Sequence, residues 1–229
     1  MAKKAASKAN GKAGARAIGR VPHYAQTTDF TCGPSSLIMS MAALDPRVKR
    51  SRVLELQLWR EANTIFMGPT GGHGGCGALG LALAAHRRGF KAEVHVNHTG
   101  VLLGSRAKSK ERTAVMRVLQ EKDLAEAKAA GIPVEHRALS LGEIEAKLRA
   151  GFMPIVLNSM RHLHDDRTAH WFVVTAIDDK NVYVNDPWVS QKKRKTARDM
   201  TAVPIPRRTF ERITAYGPKK ERAAVLVRR

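Results

Sequence analysis

The sequence predicts an α+β fold in which helices come first and an antiparallel sheet follows, and three observations carry that prediction. Apolar residues recur at helical spacing between residues 34 and 88. The run HWFVVTAIDDKNVYVNDPW at 170–188 reads as two β-rich stretches joined by the polar turn DDKN. Between these regions, SLGE at 140–143 has the Ser and Glu of a capping box ahead of another helix.

Taken in order, MAKKAASKANGKAGARAIGR at 1–20 has no aromatic and no periodic apolar residue, so it is expected to be a disordered basic tail. PSSLIMSMAAL at 34–44 is expected to form a buried helix starting at Pro34 and stopping at Asp45 and Pro46. Further helices are expected at 51–63 and at 76–88, the latter closed by Gly89, and KAEVHVN alternates like a strand. Residues 111–130 form a long amphipathic pattern ended by Gly131 and Pro133. The capped helix after Ser140 runs to Gly151, and FMPIVLN at 152–158 is a short apolar strand. No internal repeat is present.

At 229 residues the chain is long enough to bury a sizeable core, and its net charge of +20 is unevenly spread. Residues 1–20 hold six Lys or Arg and no acid, and residues 191–229 hold thirteen against three acids. The excess positive charge is therefore terminal, and the segment 191–229 is expected as a basic C-terminal extension. Lys and Arg tracts of this kind attract nucleic acid or other polyanions nonspecifically, while the few aromatics give no platform for base stacking. Two cysteines, Cys32 and Cys76, make no disulfide framework, which points to a reducing compartment. With neither an export signal's apolar core nor a run long enough to span a bilayer, the expectation is a cytoplasmic protein without a membrane span.

AQTTDFTCGPSS at 25–36 places Cys32 at the N-terminal edge of the first helix. A helix start favours negative charge, and the thiolate is the reactive form of cysteine. The stretch alone leaves two readings open, a nucleophile or a small apolar residue packed under the turn. Nucleophilic cysteine chemistry also needs a base, a group that orients it, and donors for the oxyanion. His170 and Asp186 lie on opposite strands of the expected hairpin. If its turn is centred near Asp179, position 170 faces 188, and Asp186 sits diagonally on the same face within side-chain reach. A turn shifted by half a residue would put the two on opposite faces. Gln26 offers an amide N–H, with the Cys32 backbone N–H beside it.

Gln26-Thr-Thr-Asp-Phe-Thr-Cys32-Gly33-Pro34, followed by His170-Trp-Phe-Val-Val and then Val-Tyr-Val-Asn-Asp186-Pro187, resembles the papain-like cysteine peptidases of family thirty-nine, which remove double-glycine leader peptides from bacteriocins. The resemblance covers roughly residues 21–190. It implies a papain-like fold and a Cys-His-Asp triad, with Cys32 as nucleophile, His170 as general base and acid, Asp186 as orienter of the imidazole and Gln26 as oxyanion donor. It implies a peptide or protein substrate and no cofactor. The quoted motifs leave the region 97–140 unplaced, and neither a membrane segment nor an ATP-binding motif accompanies them, so a stand-alone relative with another peptide substrate is expected.

Other clusters stand beside this one in the sequence. MGPTGGHGGCGALG at 67–80 brings His73 and Cys76 near His86, His95 and His98, but only one pair has metal-ligand spacing, so no metal is expected. Its glycines serve either close substrate approach or close helix packing. RHLHDD at 161–166 reads as a solvated, self-paired loop, and its place just before His170 in sequence leaves a substrate-contact role open. The alternatives to a peptidase are a polyanion-binding protein on an inactive papain-like scaffold and an acyl transferase using the same triad.

Overall fold

The computed structural model describes residues 21–65, 72 and 74–229. The expected disordered tail at 1–20 and His73 lie outside the described residues.

Three helices open the fold: α1 (Cys32–Leu44), α2 (Arg52–Ala62) and α3 (Ala78–His86). Strand β1 (Lys91–Val96), a 3-10 turn at Gly104–Arg106, α4 (Lys110–Ala129) and the two-residue β2 (Val134–Glu135) follow. Then come α5 (Leu141–Arg149), β3 (Met153–Ser159), the short α6 (Arg161–His164), β4 (Ala169–Ile177) and β5 (Asn181–Asn185). The chain closes with β6 (Val203–Pro206), α7 (Arg207–Ile213) and β7 (Ala223–Arg228).

Local chemistry accounts for several boundaries. The Oγ of Ser51 accepts from Leu54 N and that of Ser109 from Arg112 N, each satisfying an N–H that the first helical turn leaves open. The capping box forms as predicted: Ser140 Oγ accepts from Glu143 N while the Glu143 carboxylate accepts from Ser140 N. Gly151, at φ +83°, takes the left-handed conformation that ends this helix. The first helix starts at Cys32 rather than Pro34, which makes Cys32 its first residue.

The seven strands form one sheet in the order β2-β1-β7-β3-β4-β5-β6, antiparallel except for β1 beside β2. Strand alternation covers both faces. Ile155, Leu157, Val173, Val225 and Val227 join the core under α1 and α3, whereas Val156, Phe172, Val174 and Leu226 join the core that includes residues of α5 and α7. Full burial of each such side chain contributes about 1.5–3 kcal/mol, so the sheet is held from both sides.

The segment 191–229, expected as a basic extension, instead supplies β6, α7 and β7, and β7 lies inside the sheet between β1 and β3. Its positive charge is compatible with this because Ala223, Ala224, Val225, Leu226 and Val227 are buried while Arg228 and Arg229 are exposed. Net charge described the exposed residues; the continuous apolar run AAVLV carried the structural signal. Region 97–140, left unplaced by the motifs, contributes the 3-10 turn, α4 against α3, and the edge strand β2.

Candidate active site

The loop before α1 is tied down at both of its ends. Asn185 Nδ2 donates to Val21 O at 3.1 Å, and Gln26 N donates to Pro187 O at 2.9 Å. Strand β5 and its extension thus hold the approach to Cys32. At the other end stands Glu55, on the buried stripe of α2 that it shares with Leu58 and Ala62. Its carboxylate accepts from Tyr24 Oη at 2.9 Å, Thr27 N at 2.8 Å, Thr27 Oγ1 at 2.9 Å, Thr31 Oγ1 and Ser35 Oγ. A buried carboxylate is tolerated only when its oxygens are satisfied, and here neutral donors from the loop and α1 do so. Burial, and then the same contact, raise the Tyr24 hydroxyl pKa.

Helix α1 then packs on β4, where Ser36 Oγ donates to Trp171 O at 3.1 Å. This brings Cys32 beside His170, and the two side chains line one cleft of about 270 Å³ with Gln26, Trp171 and Trp188. His170 Nε2 lies 2.8 Å from Asp186 Oδ1, which leaves Nδ1 as the ring nitrogen for Cys32, whose side chain lines the same cleft. Burial opposes charge on His170, but the Asp186 carboxylate and Cys32 outweigh it and hold its pKa up to about 10.

Asp186 is fully buried and has a partner on each oxygen. Trp188 N donates to Oδ1 at 2.8 Å, beside His170, and His164 Nε2 lies 2.9 Å from Oδ2. Burial alone would raise its pKa; the charge of His170 and the hydrogen bonds of both histidines bring it well below the usual carboxylate range. Its backbone carbonyl meets His23 Nε2 at 2.7 Å.

The hairpin geometry that joins His170 to Asp186 has an unexpected cause. At the turn the register is Ile177↔Val182 and Ala176↔Tyr183, which is the half-residue shift that would separate the pair. An irregularity between Val174 and Ala176 then resets the register to Val174↔Val184 and Val173↔Asn185. Thr175 is the extra residue, and its Oγ1 donates to Tyr183 O at 3.2 Å. Beyond this bulge, position 186 falls opposite 172, on the face of 170.

Gln26 lines the cleft, and its Nε2 donates one N–H to Thr28 O at 2.7 Å, which leaves a second N–H on that nitrogen. Cys76 is buried with its thiol pKa pushed up, first by burial and then by the charge of Cys32. Its carbonyl accepts from Trp171 Nε1 at 3.1 Å. Among the described residues no group of three His, Cys, Asp or Glu side chains is arranged to hold a metal.

Two contributors escaped the motifs. RHLHDD is not wholly a solvated loop, because the His164 side chain is only 4% exposed and binds Asp186. Asp166 is self-paired as expected, accepting from Thr168 N and Oγ1. Glu55 carried a legible signal, an acid in register with the apolar stripe of its helix. His164 carried none, since only the fold brings α6 over the end of β5.

Residues 21–228 match the family model described as "Peptidase_C39 like family". Among solved structures, a chain from Bacillus anthracis described as a candidate C39-like peptidase is 16% identical, with 94% of this chain and 98% of that chain covered at a TM-score of 0.53. A double glycine motif protease from an AMS/PCAT transporter, solved with its leader peptide, is 17% identical, with 92% and 95% covered at a TM-score of 0.43. The likeness to the first is one of fold. No curated protein matches the sequence.

Proposed function

The chain belongs to the Peptidase C39-like family, and from that premise we propose that it is a cysteine peptidase with Cys32 as nucleophile. The observation that carries the reading is a buried Asp186–His170 pair, 2.8 Å apart, whose imidazole lines one cleft with a cysteine at the first position of a helix. A structural cysteine needs neither an imidazole nor a carboxylate behind that imidazole.

In this mechanism the Cys32 thiolate attacks a peptide carbonyl while its proton rests on His170. The oxyanion takes donors from the Gln26 amide and from backbone N–H groups at the start of α1, which have no acceptor within the helix. His170 passes its proton to the leaving amine, and the C–N bond breaks to leave a thioester on Cys32. Water, deprotonated by His170, then attacks the thioester, releasing the acid and returning Cys32. Asp186 keeps the imidazole oriented and stabilises its charge throughout.

The test is iodoacetamide labelling of Cys32 across pH, with buried Cys76 as the internal control. Labelling of Cys32 well below the roughly 8.5 of an ordinary thiol, abolished in His170→Ala, is the expected result. Labelling indistinguishable from an ordinary thiol in both proteins would remove the nucleophile from the reading.

A further inference from the structure

Next to the catalytic cleft is a larger cavity, of about 850 Å³, with a different character. Arg161, His162, Arg167 and Arg212 line it, and among the described residues no acidic side chain does. The ion pairs of the described arginines involve other residues, and none of these three guanidinium groups has a carboxylate partner among the described residues. Three guanidinium forks left unpaired around one cavity are suited to carboxylates, which they bind in bidentate fashion.

The cavity and the cleft share a wall. Along the connection between β3 and β4, Ser159, Arg161, His162 and Arg167 line the cavity, while Met160, Asp166, Thr168 and His170 line the cleft. Arg106 ties them further: it lines the cleft and donates to the hydroxyl of Tyr216, which lines the cavity. A chain passing His170 therefore has the cationic cavity beside it.

We propose that this cavity binds an acidic segment of the peptide substrate, so that cleavage selects peptides carrying Asp or Glu near the scissile bond. The proposal rests on the peptidase reading and names the substrate class of that site. A peptide fits better than nucleic acid. Among the described residues Tyr216 is the one Phe, Tyr or Trp lining the cavity, its hydroxyl is already engaged, and stacking on aromatic faces is the usual hold on single strands.

The experiment measures anisotropy of fluorescein-labelled hexaglutamate on the full chain carrying Cys32→Ala, with hexaglutamine and a ten-residue oligothymidylate as comparison probes. The cavity variant is Arg161→Gln/Arg167→Gln/Arg212→Gln; the control, Lys192→Gln/Lys193→Gln/Lys195→Gln, removes the same charge from an exposed segment. Expected is a loss of hexaglutamate affinity of about tenfold or more in the cavity variant, against less than about twofold in the control, since scattered exposed charges contribute little each. Hexaglutamine should not bind. Equal losses in both variants, or no hexaglutamate binding at all, would overturn the proposal. So would tighter oligothymidylate binding that the cavity variant abolishes, which would assign the cavity to nucleic acid. If the triple variant does not melt like the parent, the three single variants are read instead, each expected to lose about two- to threefold, as a share of the tenfold effect. Rapid Cys32 labelling in the native chain without hexaglutamate binding would overturn only the acidic preference. Hexaglutamate binding with an unreactive Cys32 would overturn the peptidase reading, and with it the segment's role as substrate.

Discussion

His164 and His170 bind opposite oxygens of one buried carboxylate, at 2.9 and 2.8 Å from Asp186. The second histidine makes Asp186 a fixed point, since neither oxygen is left to rotate toward another partner. Replacing it with alanine leaves Oδ2 without a donor in a fully buried site. A hydrogen bond to a charged group is worth about 1.5–3 kcal/mol, so His164→Ala should slow Cys32 alkylation at neutral pH by roughly tenfold or more. His164→Gln keeps an N–H donor and should recover most of the rate; equal rates in all three proteins would show that Asp186 needs only His170.

Asp186→Asn should change how stability depends on pH. The folded pKa of His170, held near 10, lies above its ordinary 6.5, so the pair stabilises the fold fully below pH 6.5 and loses that contribution as pH rises toward 10. Without the carboxylate, burial dominates and the His170 pKa falls. Melting temperatures from pH 6 to 10 should therefore decline less steeply in the variant than in the native chain, and an NMR titration of the His170 ring should show its midpoint moving down. A midpoint unmoved by the substitution would contradict the assigned cause.

Glu55→Ala tests the buried acid that anchors the loop before Cys32. It strands donors of Tyr24, Thr27, Thr31 and Ser35. The expected loss is about 3 kcal/mol, or about 10 °C in Tm for a chain of this size. Cys32 labelling should slow as well, because the loop also carries Gln26. Glu55→Gln should lose less of both.

Gly80→Ala sets two effects against each other. Alanine is worth about 1 kcal/mol over glycine within a helix. At this position, however, its Cβ would come within 2.7 Å of Ala62 Cα and 3.0 Å of Ala62 O, where α2 and α3 touch. Overpacking costs about 1–3 kcal/mol, so a net destabilisation of up to about 2 kcal/mol is expected in denaturant unfolding. A stabilised variant would mean that the helices separate readily.

Helices α1 to α5 were legible because their causes are local: Ser51, the Ser140–Glu143 pair and Gly151 act within a few residues of themselves. The association of His170 with Asp186 was legible only conditionally. The sequence placed both on one hairpin, but the true turn is offset by half a residue, and the Thr175 bulge that compensates has no signature in HWFVVTAID. The place of residues 191–229 is hidden by the net charge of the segment as a whole, whereas the strand is specified by AAVLV at 223–227 between charged neighbours. His164 and the cationic cavity come from distant segments, and their meeting depends on the whole fold.

The position of β7 also bears on when the molecule becomes complete during synthesis. A ribosome makes residues 223–228 after Cys32, His170 and Asp186, yet β1 and β3 pair with β7 and not with each other. Until that strand emerges the sheet stays in two parts, and the core beneath Cys32 lacks Val225 and Val227. Domains settle as units once their sequence is available. A nascent chain would thus carry every proposed reactive side chain while its scaffold is still open, and the emergence of β7 would act as the timer for assembly of the cleft.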